Sequence, residues 1–129
     1  DLYVFITTEK HKIFQRSEEN LYYKLPISMT DAALGAEIDV PTIDGGKSKV
    51  KIPSGTQSGK QFRLKGKGMP IIRSDDYGDL YLETNVIIPE SLSKEQKDLL
   101  EKFKSLEDLD NNSEIKNFIN KAKKFWSGN

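Results

Sequence analysis

The sequence predicts a mainly β fold: a small antiparallel β-sandwich with a short internal helix and C-terminal α-helices. Three patterns lead to this prediction. Apolar and polar residues alternate through most of the chain before Pro89, which is the period of a half-buried strand. Turn sequences rich in glycine and proline separate the alternating stretches. After Pro89 the apolar residues recur at the spacing of an α-helix instead.

The composition is typical of one soluble domain with a modest core. Hydrophobic residues make up 36% of the 129 positions and charged residues 31%. Twenty basic residues balance twenty acidic ones, so we expect no overall attraction to nucleic acid or to a membrane surface. No apolar run reaches the roughly 20 residues that a membrane span requires. The chain contains no cysteine, which excludes disulfides and thiolate metal sites and is compatible with a cytosolic protein.

The first stretch, residues 1–8, has apolar side chains on both faces, as in a strand that is covered on both sides. It opens with Asp-Leu-Tyr, and the same three residues recur at 79–81. We interpret the two stretches as equivalent last strands of two related β-domains. Residues 1–17 would then be the end of a truncated preceding domain, with the polar run at 17–20 as the boundary.

A complete β-sandwich domain is predicted over residues 18–90. It begins with a strand at 21–27 that points alternate apolar residues inward. One helical turn follows at 30–35, with Thr30 as its N-cap residue and a glycine at its end.

A β-hairpin is predicted around the Asp-Gly-Gly sequence at 44–46. Its return strand, 47–52, points three lysines outward, and a second basic face follows at 63–67. Such faces could contact phosphates, so a nucleic-acid-binding β-barrel is an alternative function. Aromatic residues or a recognition helix to read bases are missing, and solvated lysines also protect sheet edges, which favours a solvated face.

The segment 53–70 is the one around which we expect the sheet to be organised. Phe62 and Leu64 alternate with polar residues, as in a half-buried strand. Two glycine turns precede this strand, and Gly-Lys-Gly at 66–68 predicts a bulge or a close backbone approach. A long strand at 78–88 then completes the sheet.

The same segment contains Gly-Thr-Gln-Ser-Gly-Lys at 55–60, which has some likeness to a phosphate-binding loop. Such a loop needs four residues between its glycines and a Ser or Thr after the lysine. Here three residues separate the glycines and Gln61 follows the lysine. The spacing and the strand pattern that follows argue against a nucleotide site.

Catalytic and metal sites are not expected. His11 is the only histidine, and no nucleophile or carboxylate accompanies it in a recognisable pattern. The acidic residues at 75–76 and 108–110 lack the ligand-rich loop that calcium requires. The sequence therefore predicts a protein that is not an enzyme and holds no cofactor in this region.

The C-terminal segment, 91–129, is predicted to form two amphipathic helices. Ser93 and Gln96 have the spacing of a capping box at the start of the first helix. One small sheet cannot easily bury both apolar stripes, so we expect this segment to join two copies of the chain. The residues expected at that homodimer contact are Leu92, Leu99, Leu100, Phe103, Phe118, Ile119 and Trp126.

A polypeptide-binding groove is the remaining possibility. An open sheet edge can accept an extended chain, with apolar pockets for its side chains. The residues on neighbouring strands that could line the groove are Tyr23, Leu25, Ile38 and Val40. For each of these residues, packing in the core is the alternative.

The motifs of the segment 53–70 carry a resemblance to a known family. Pro-x-Gly-Thr-Gln-Ser-Gly-Lys-Gln-Phe-Arg-Leu-Lys-Gly-Lys-Gly-Met-Pro resembles the second C-terminal β-domain of bacterial DnaJ, the J-domain co-chaperones. The other matching motifs are Leu-Pro-Ile at 25–27, Ala-Ala-Leu-Gly at 32–35, Val-Pro-Thr-Ile-Asp-Gly at 40–45 and Asp-Leu-Tyr at 79–81. The resemblance runs in order from Asp1 to about Phe103 and is weak beyond it.

This resemblance implies a cytoplasmic stress-response co-chaperone that binds unfolded or misfolded polypeptide, dimerises through its extreme C-terminus and delivers clients to DnaK. It places the better-defined client groove on the first β-domain, where Phe14 would match the groove wall. The family's J-domain and its cysteine-rich zinc repeats are missing from this sequence. We therefore expect zinc only in that missing region, and no stimulation of DnaK by this fragment.

Overall fold

The computed structural model of the protein describes residues 10–108 and 112–128. The strand expected at 1–8 lies outside these residues. The chain divides into two compact units, Asp1–Pro89 and Glu90–Asn129. The first unit contains α1 (Lys10–Ile13), β1 (Gln15–Ser17), β2 (Asn20–Ser28), α2 (Met29–Leu34), β3 (Ala36–Pro41), β4 (Lys47–Ile52), β5 (Gln61–Leu64) and β6 (Leu80–Ile87). The second unit contains α3 (Lys94–Leu106) and α4 (Ser113–Trp126).

Two β-sheets build the first unit, which confirms the predicted fold class. Four strands form one sheet in the order β1-β2-β6-β5, and β3 pairs with β4 in the other. Among the described residues, three of the four strand pairs are antiparallel. The pair β2–β6 is parallel, with Leu21 opposite Leu80 and Ser28 opposite Ile87. A parallel pair needs a long crossover connection, and the chain from α2 to β5 supplies it.

One hydrophobic core joins the two sheets. β2 buries every second residue from Leu21 to Ile27, as the alternation predicted. A slip of one residue in register would turn this whole set of side chains toward solvent. Each exposed Leu, Ile, Val or Phe side chain would lose roughly 1.5–3 kcal/mol of burial energy. The residues of this core are Phe14, Leu21, Tyr23, Leu25, Ile27, Ala32, Val40, Val50, Ile52, Leu80 and Leu82.

The short internal helix is α2, and its N-cap lies two residues earlier than predicted. Its N-cap is Ser28, whose hydroxyl accepts a hydrogen bond from the backbone N–H of Asp31 at 3.0 Å. The prediction that Thr30 caps the helix is therefore wrong, because Ser28 already has the extended backbone of a cap. Gly35 ends the helix with a φ of +84°. A Cβ at Gly35 would lie 3.0 Å from the backbone nitrogen of Ser54, so both conformation and space require glycine there.

The predicted hairpin turn connects β3 to β4. Asp44 organises it, since its Oδ1 accepts hydrogen bonds from Thr42 Oγ1 at 2.6 Å and from the Gly46 N–H at 2.9 Å. These two hydrogen bonds hold the pKa of the Asp44 carboxyl below its usual value, and the hydrogen bond from Thr42 has the larger effect. The turn sets the register that places Ala36 opposite Ile52.

Two helices form the second unit, as predicted. Ser93 Oγ accepts from the Gln96 N–H at 3.1 Å, and the Gln96 side chain accepts from the Ser93 N–H at 2.9 Å, which confirms the capping box. α4 begins after Asn112, whose side chain accepts from the Ile115 N–H at 3.2 Å. Neither helix buries a residue. Within the part of the chain that the structure describes, no helix has the length and apolar character needed to cross a membrane.

Candidate interaction surfaces

The five residues predicted to line a polypeptide groove come together inside the core. Phe14, Tyr23, Leu25 and Val40 are buried, and Ile38 packs against them while partly buried. The Phe14 and Tyr23 rings pack edge to face, with ring centroids 5.1 Å apart and an angle of 86° between the ring planes. Core packing, the alternative for these residues, accounts for their positions. The exposed surface of the first unit is made by other side chains.

Tyr23 links the two sheets across the core. Its hydroxyl donates a hydrogen bond to the carbonyl oxygen of Pro41 at 2.8 Å, although the two residues are 18 positions apart. Burial raises the pKa of Tyr23 to about 12. The hydroxyl therefore stays protonated at neutral pH and keeps its donor role.

The outer face of the four-stranded sheet carries a pair of stacked tyrosines that the sequence analysis missed. Tyr22 of β2 lies opposite Tyr81 of β6, with ring centroids 5.2 Å apart and an angle of 14° between the ring planes. The one signal in the sequence is that Tyr22 occupies an outward position in the alternation of β2, where a polar residue is usual.

We define the tyrosine pocket by the residues that line it. It is an open pocket of about 400 Å³, and its lining residues are Ile13, Gln15, Tyr22, Tyr23, Lys24, Gln61, Tyr81, Leu82 and Glu83. Tyrosine rings supply apolar contact area, and the amide and charged groups around them can form hydrogen bonds. Such a pocket can hold an apolar side chain while polar groups at its rim bind the attached backbone.

Asp79 fixes the start of β6. Its carboxylate accepts hydrogen bonds from the Gly66 N–H at 2.9 Å and from Arg63 Nε at 2.7 Å. The hydrogen bonds from Gly66 and Arg63 hold the pKa of the Asp79 carboxyl below its usual value, and the one from Gly66 has the larger effect. The ionised carboxylate thereby connects the end of β5 to the beginning of β6.

The close backbone approach predicted at 66–68 is confirmed at Gly68. A Cβ at Gly68 would lie 2.5 Å from the Glu19 carbonyl oxygen, and a Cβ at Gly78 would collide with the same residue. Backbone hydrogen bonds of 2.8 Å from Met69 N–H to Glu19 and from Gly78 N–H to Met69 fasten this junction. The loop between β5 and β6 is therefore fixed to the turn that precedes β2.

The loop at 55–60, which has some likeness to a phosphate-binding loop, is fastened to the sheet. The Gly59 N–H donates to the Thr84 carbonyl at 2.8 Å, and the Thr84 N–H donates to the Lys60 carbonyl at 2.9 Å. Strand β5 follows the loop directly, as the alternation predicted, whereas a phosphate-binding loop leads into the N-terminus of a helix.

The acidic loop residues Asp75 and Asp76 take part in a turn. The Asp76 carbonyl accepts from the Ile71 N–H at 2.9 Å, and the Asp76 N–H donates to Ser74 Oγ at 3.0 Å. Across residues 10–108 and 112–128, His, Cys, Asp and Glu side chains form no group of three that could hold a metal ion.

The outward lysines of β4 face acidic residues of β3. The Nζ atoms of Lys47 and Lys49 lie 3.7 and 3.4 Å from the Asp39 carboxylate. Lys51 lies opposite Glu37 in the register of the hairpin. Exposed pairs of this kind add little stability, but they balance the charge of the face. This balance favours the solvated-face interpretation over a phosphate-binding surface.

Most of the residues predicted for dimerisation are exposed. Leu99 and Phe103 on α3, and Phe118 and Trp126 on α4, are between 61% and 78% exposed. Leu92 and Ile119 are exposed to a smaller extent, and Leu100 is partly buried. Apolar strips of this kind on neighbouring surface positions usually mark contact with another molecule.

The chain is a small β-rich domain of two sheets followed by a segment of two exposed amphipathic helices. Comparison with known protein families shows which family the chain belongs to. The family described as DnaJ C terminal domain matches residues 1–89, and the family described as Chaperone protein DnaJ C-terminal region matches residues 95–128. The chain belongs to the DnaJ C-terminal domain family, which confirms the resemblance found in its motifs. This is a family of chaperones and not of enzymes.

Individual relatives agree with the family. Chaperone protein DnaJ of Pelagibacter ubique is 59% identical over 126 residues, which cover 98% of this chain and 34% of the relative. Chaperone protein DnaJ of Brucella anthropi is 48% identical over 128 residues, which cover 99% of this chain and 34% of the relative. The chain thus spans about a third of the length of the curated relatives it matches.

Proposed function

We propose that this chain is the part of a cytoplasmic co-chaperone that holds unfolded or misfolded polypeptide and joins two copies of the protein. As part of the longer protein, it passes its clients to a DnaK-type chaperone. The observation that carries this proposal is the match of both units, in order, to DnaJ C-terminal families. The exposed surfaces of each unit support the division of roles between them.

Dimerisation is assigned to the apolar strip of α3. Leu99, Leu100 and Phe103 lie on one side of this helix, and Leu92 precedes it. In a dimer with two-fold symmetry, the strip of one copy would pack against the same strip of the other copy, and both would be shielded from water. Each buried Leu or Phe contributes roughly 1.5–3 kcal/mol, so several such residues from two copies offset an association cost of roughly 4–15 kcal/mol.

Client contact is assigned to the tyrosine pocket. An aromatic or aliphatic side chain of the client would pack against the exposed parts of Tyr22, Tyr81 and Ile13. Gln61 and Glu83 at the rim would form hydrogen bonds with the client backbone. Tyr23, one of the predicted groove residues, is also among the residues that line this pocket, although its side chain is buried in the core.

A titration of a fluorescently labelled, chemically unfolded model polypeptide with the chain tests this assignment by anisotropy. The variant with Tyr22→Ser and Tyr81→Ser should bind at least about tenfold more weakly, because it removes two aromatic contacts. The matched control is Lys51→Ser on the exposed face of β4, which should bind like the unmodified chain.

Each outcome of this titration decides a different point. Failure of the unmodified chain to bind the polypeptide would contradict the client-holding role. Equal affinity of the tyrosine variant and the unmodified chain would place the contact outside the tyrosine pocket. If the polypeptide binds through apolar contacts, its affinity should change little with salt concentration. A steep loss of affinity with rising salt would favour the phosphate-binding alternative.

A further inference from the structure

The C-terminal helix α4 is strongly basic, and α3 is not. The 14 residues of α4 include four lysines and one glutamate, a net charge of +3. α3 includes four lysines and three acidic residues, and its Lys94 pairs with Asp98 at 3.1 Å. Because the whole chain has a formal net charge of zero, the residues outside α4 sum to −3. The neutral total therefore conceals a local concentration of positive charge.

The apolar residues of α4 occupy one continuous sector of the helix. At about 100° per residue they fall within an arc of about 120°. The residues of this sector are Ile115, Phe118, Ile119, Ala122, Phe125 and Trp126. Its three aromatic side chains are between 71% and 80% exposed. Lys116 and Lys123 border the sector on one side and Lys121 on the other, where long stems can contact apolar surface while the ammonium groups stay in water.

We propose that α4 docks on an anionic lipid bilayer and lies in the plane of the membrane interface. An exposed aromatic face bordered by lysines is the pattern of interfacial helices, and lysines are attracted to anionic headgroups. With 14 residues the helix is about 21 Å long, too short to span a hydrocarbon core of about 30 Å.

Charge complementarity selects this occupant over a second copy of the helix. Two α4 helices packed face to face would bring two sets of bordering lysines together, and like charges at such a contact oppose association. α3, with its nearly balanced charges, does not have this obstacle.

The proposal moves Phe118, Ile119 and Trp126 from the expected dimer contact to a membrane contact. It also departs from the expectation of no membrane partner, which rested on the balanced total charge and on the lack of an apolar run long enough to span a membrane. It goes beyond the proposed co-chaperone function and does not depend on it.

Trp126 offers a direct test, because it is the only tryptophan of the chain and is 78% exposed. Vesicles of one third phosphatidylglycerol and two thirds phosphatidylcholine should shift its emission to shorter wavelength and should sediment with the chain. Vesicles of phosphatidylcholine alone should do neither at the same lipid concentration. Raising the salt concentration should weaken binding to the anionic vesicles.

Matched variants test the role of the bordering lysines. Lys116→Gln with Lys123→Gln should weaken binding to anionic vesicles about 30-fold, since each lysine near such a surface contributes a factor of about five. Lys47→Gln with Lys51→Gln removes the same charge from β4 and should leave the affinity within about twofold. Circular dichroism of each variant checks that the helices remain.

The vesicle comparison with the unmodified chain decides the proposal even if a variant fails to fold. No shift with anionic vesicles, or equal binding to neutral ones, would overturn it. So would a Trp126 emission that is already shifted without lipid and reverts on dilution, since a second copy would then cover α4. A variant with Leu99→Glu and Phe103→Glu, expected to be monomeric, should still bind anionic vesicles, which separates this proposal from dimerisation through α3.

Discussion

Replacing Tyr23 by Phe tests whether this residue is a link inside the core or part of an open groove. The change removes only the hydroxyl that donates to the Pro41 carbonyl at 2.8 Å. A net hydrogen bond contributes about 0.5–1.5 kcal/mol, and an unsatisfied buried acceptor costs about 1–3 kcal/mol. We therefore expect Tyr23→Phe to lower the free energy of unfolding by about 1–2 kcal/mol at neutral pH.

The raised pKa of Tyr23 makes this difference depend on pH. The ordinary pKa of tyrosine is 10.0 and that of Tyr23 in the folded chain is about 12. Between these values the unfolded chain loses the tyrosine proton first, so the stability of the folded chain falls as the pH rises. One pH unit of difference in pKa corresponds to about 1.36 kcal/mol, so the unmodified chain should lose on the order of 1 kcal/mol through this group by about pH 11. Tyr23→Phe has no such proton to lose, so the difference in stability between the two proteins should be clearly smaller there than at neutral pH.

Urea unfolding of both proteins, followed by circular dichroism at about pH 8 and about pH 11, measures the two differences. The other titrating groups are shared, so their effects cancel in the comparison. The reasoning fails if the two proteins are equally stable at about pH 8. It also fails if the variant stays less stable by the same amount at both pH values, because Tyr23 would then titrate like an exposed tyrosine.

Three further predictions concern the junctions of the fold. Gly78→Ala should lower the free energy of unfolding by about 3 kcal/mol, because the new Cβ would collide with backbone atoms. Gly46→Ala is the control: its Cβ would meet only side-chain atoms, so it should lower the free energy of unfolding by less. Urea unfolding measures both changes. Asp79→Asn should make the stability of the chain less dependent on pH in acid. The lowered pKa of Asp79 stabilises the fold above pH 3.8, and the unmodified chain loses this contribution as the pH falls through the pKa of Asp79 in the folded state. Ser93→Ala should destabilise α3 by about 1 kcal/mol and reduce the helical circular dichroism signal, with Ser91→Ala as a control that leaves the capping box intact.

Local signals predicted most of the elements. The alternation of β2, the hairpin at 44–46 and the capping box at Ser93 depend on residues within a few positions of one another, and all three are found. Two hydroxyl residues, Ser28 and Thr30, lie near the start of α2, and the sequence pattern predicts a cap at Thr30. The backbone conformation at Ser28, which a single sequence does not display, decides between them.

Long-range pairing was the part that the sequence could not specify. A period of two is the same for parallel and antiparallel strands, so it could not reveal the parallel β2–β6 pair. The stacked tyrosines depend on that register, which brings Tyr22 opposite Tyr81. The alternation also placed Tyr23 and Leu25 on an inward face correctly, but it could not show that the β3–β4 hairpin shares one core with that face.

Sedimentation equilibrium of the unmodified chain at tens of micromolar tests the central claim, that its helical segment joins two copies. We expect a species of twice 14.7 kDa, and a variant with Leu99→Glu and Phe103→Glu that sediments at 14.7 kDa while its β-sheet circular dichroism signal is unchanged. Lys97→Glu on α3, outside the apolar strip, is the control and should remain dimeric. A single species of 14.7 kDa for the unmodified chain would contradict the account.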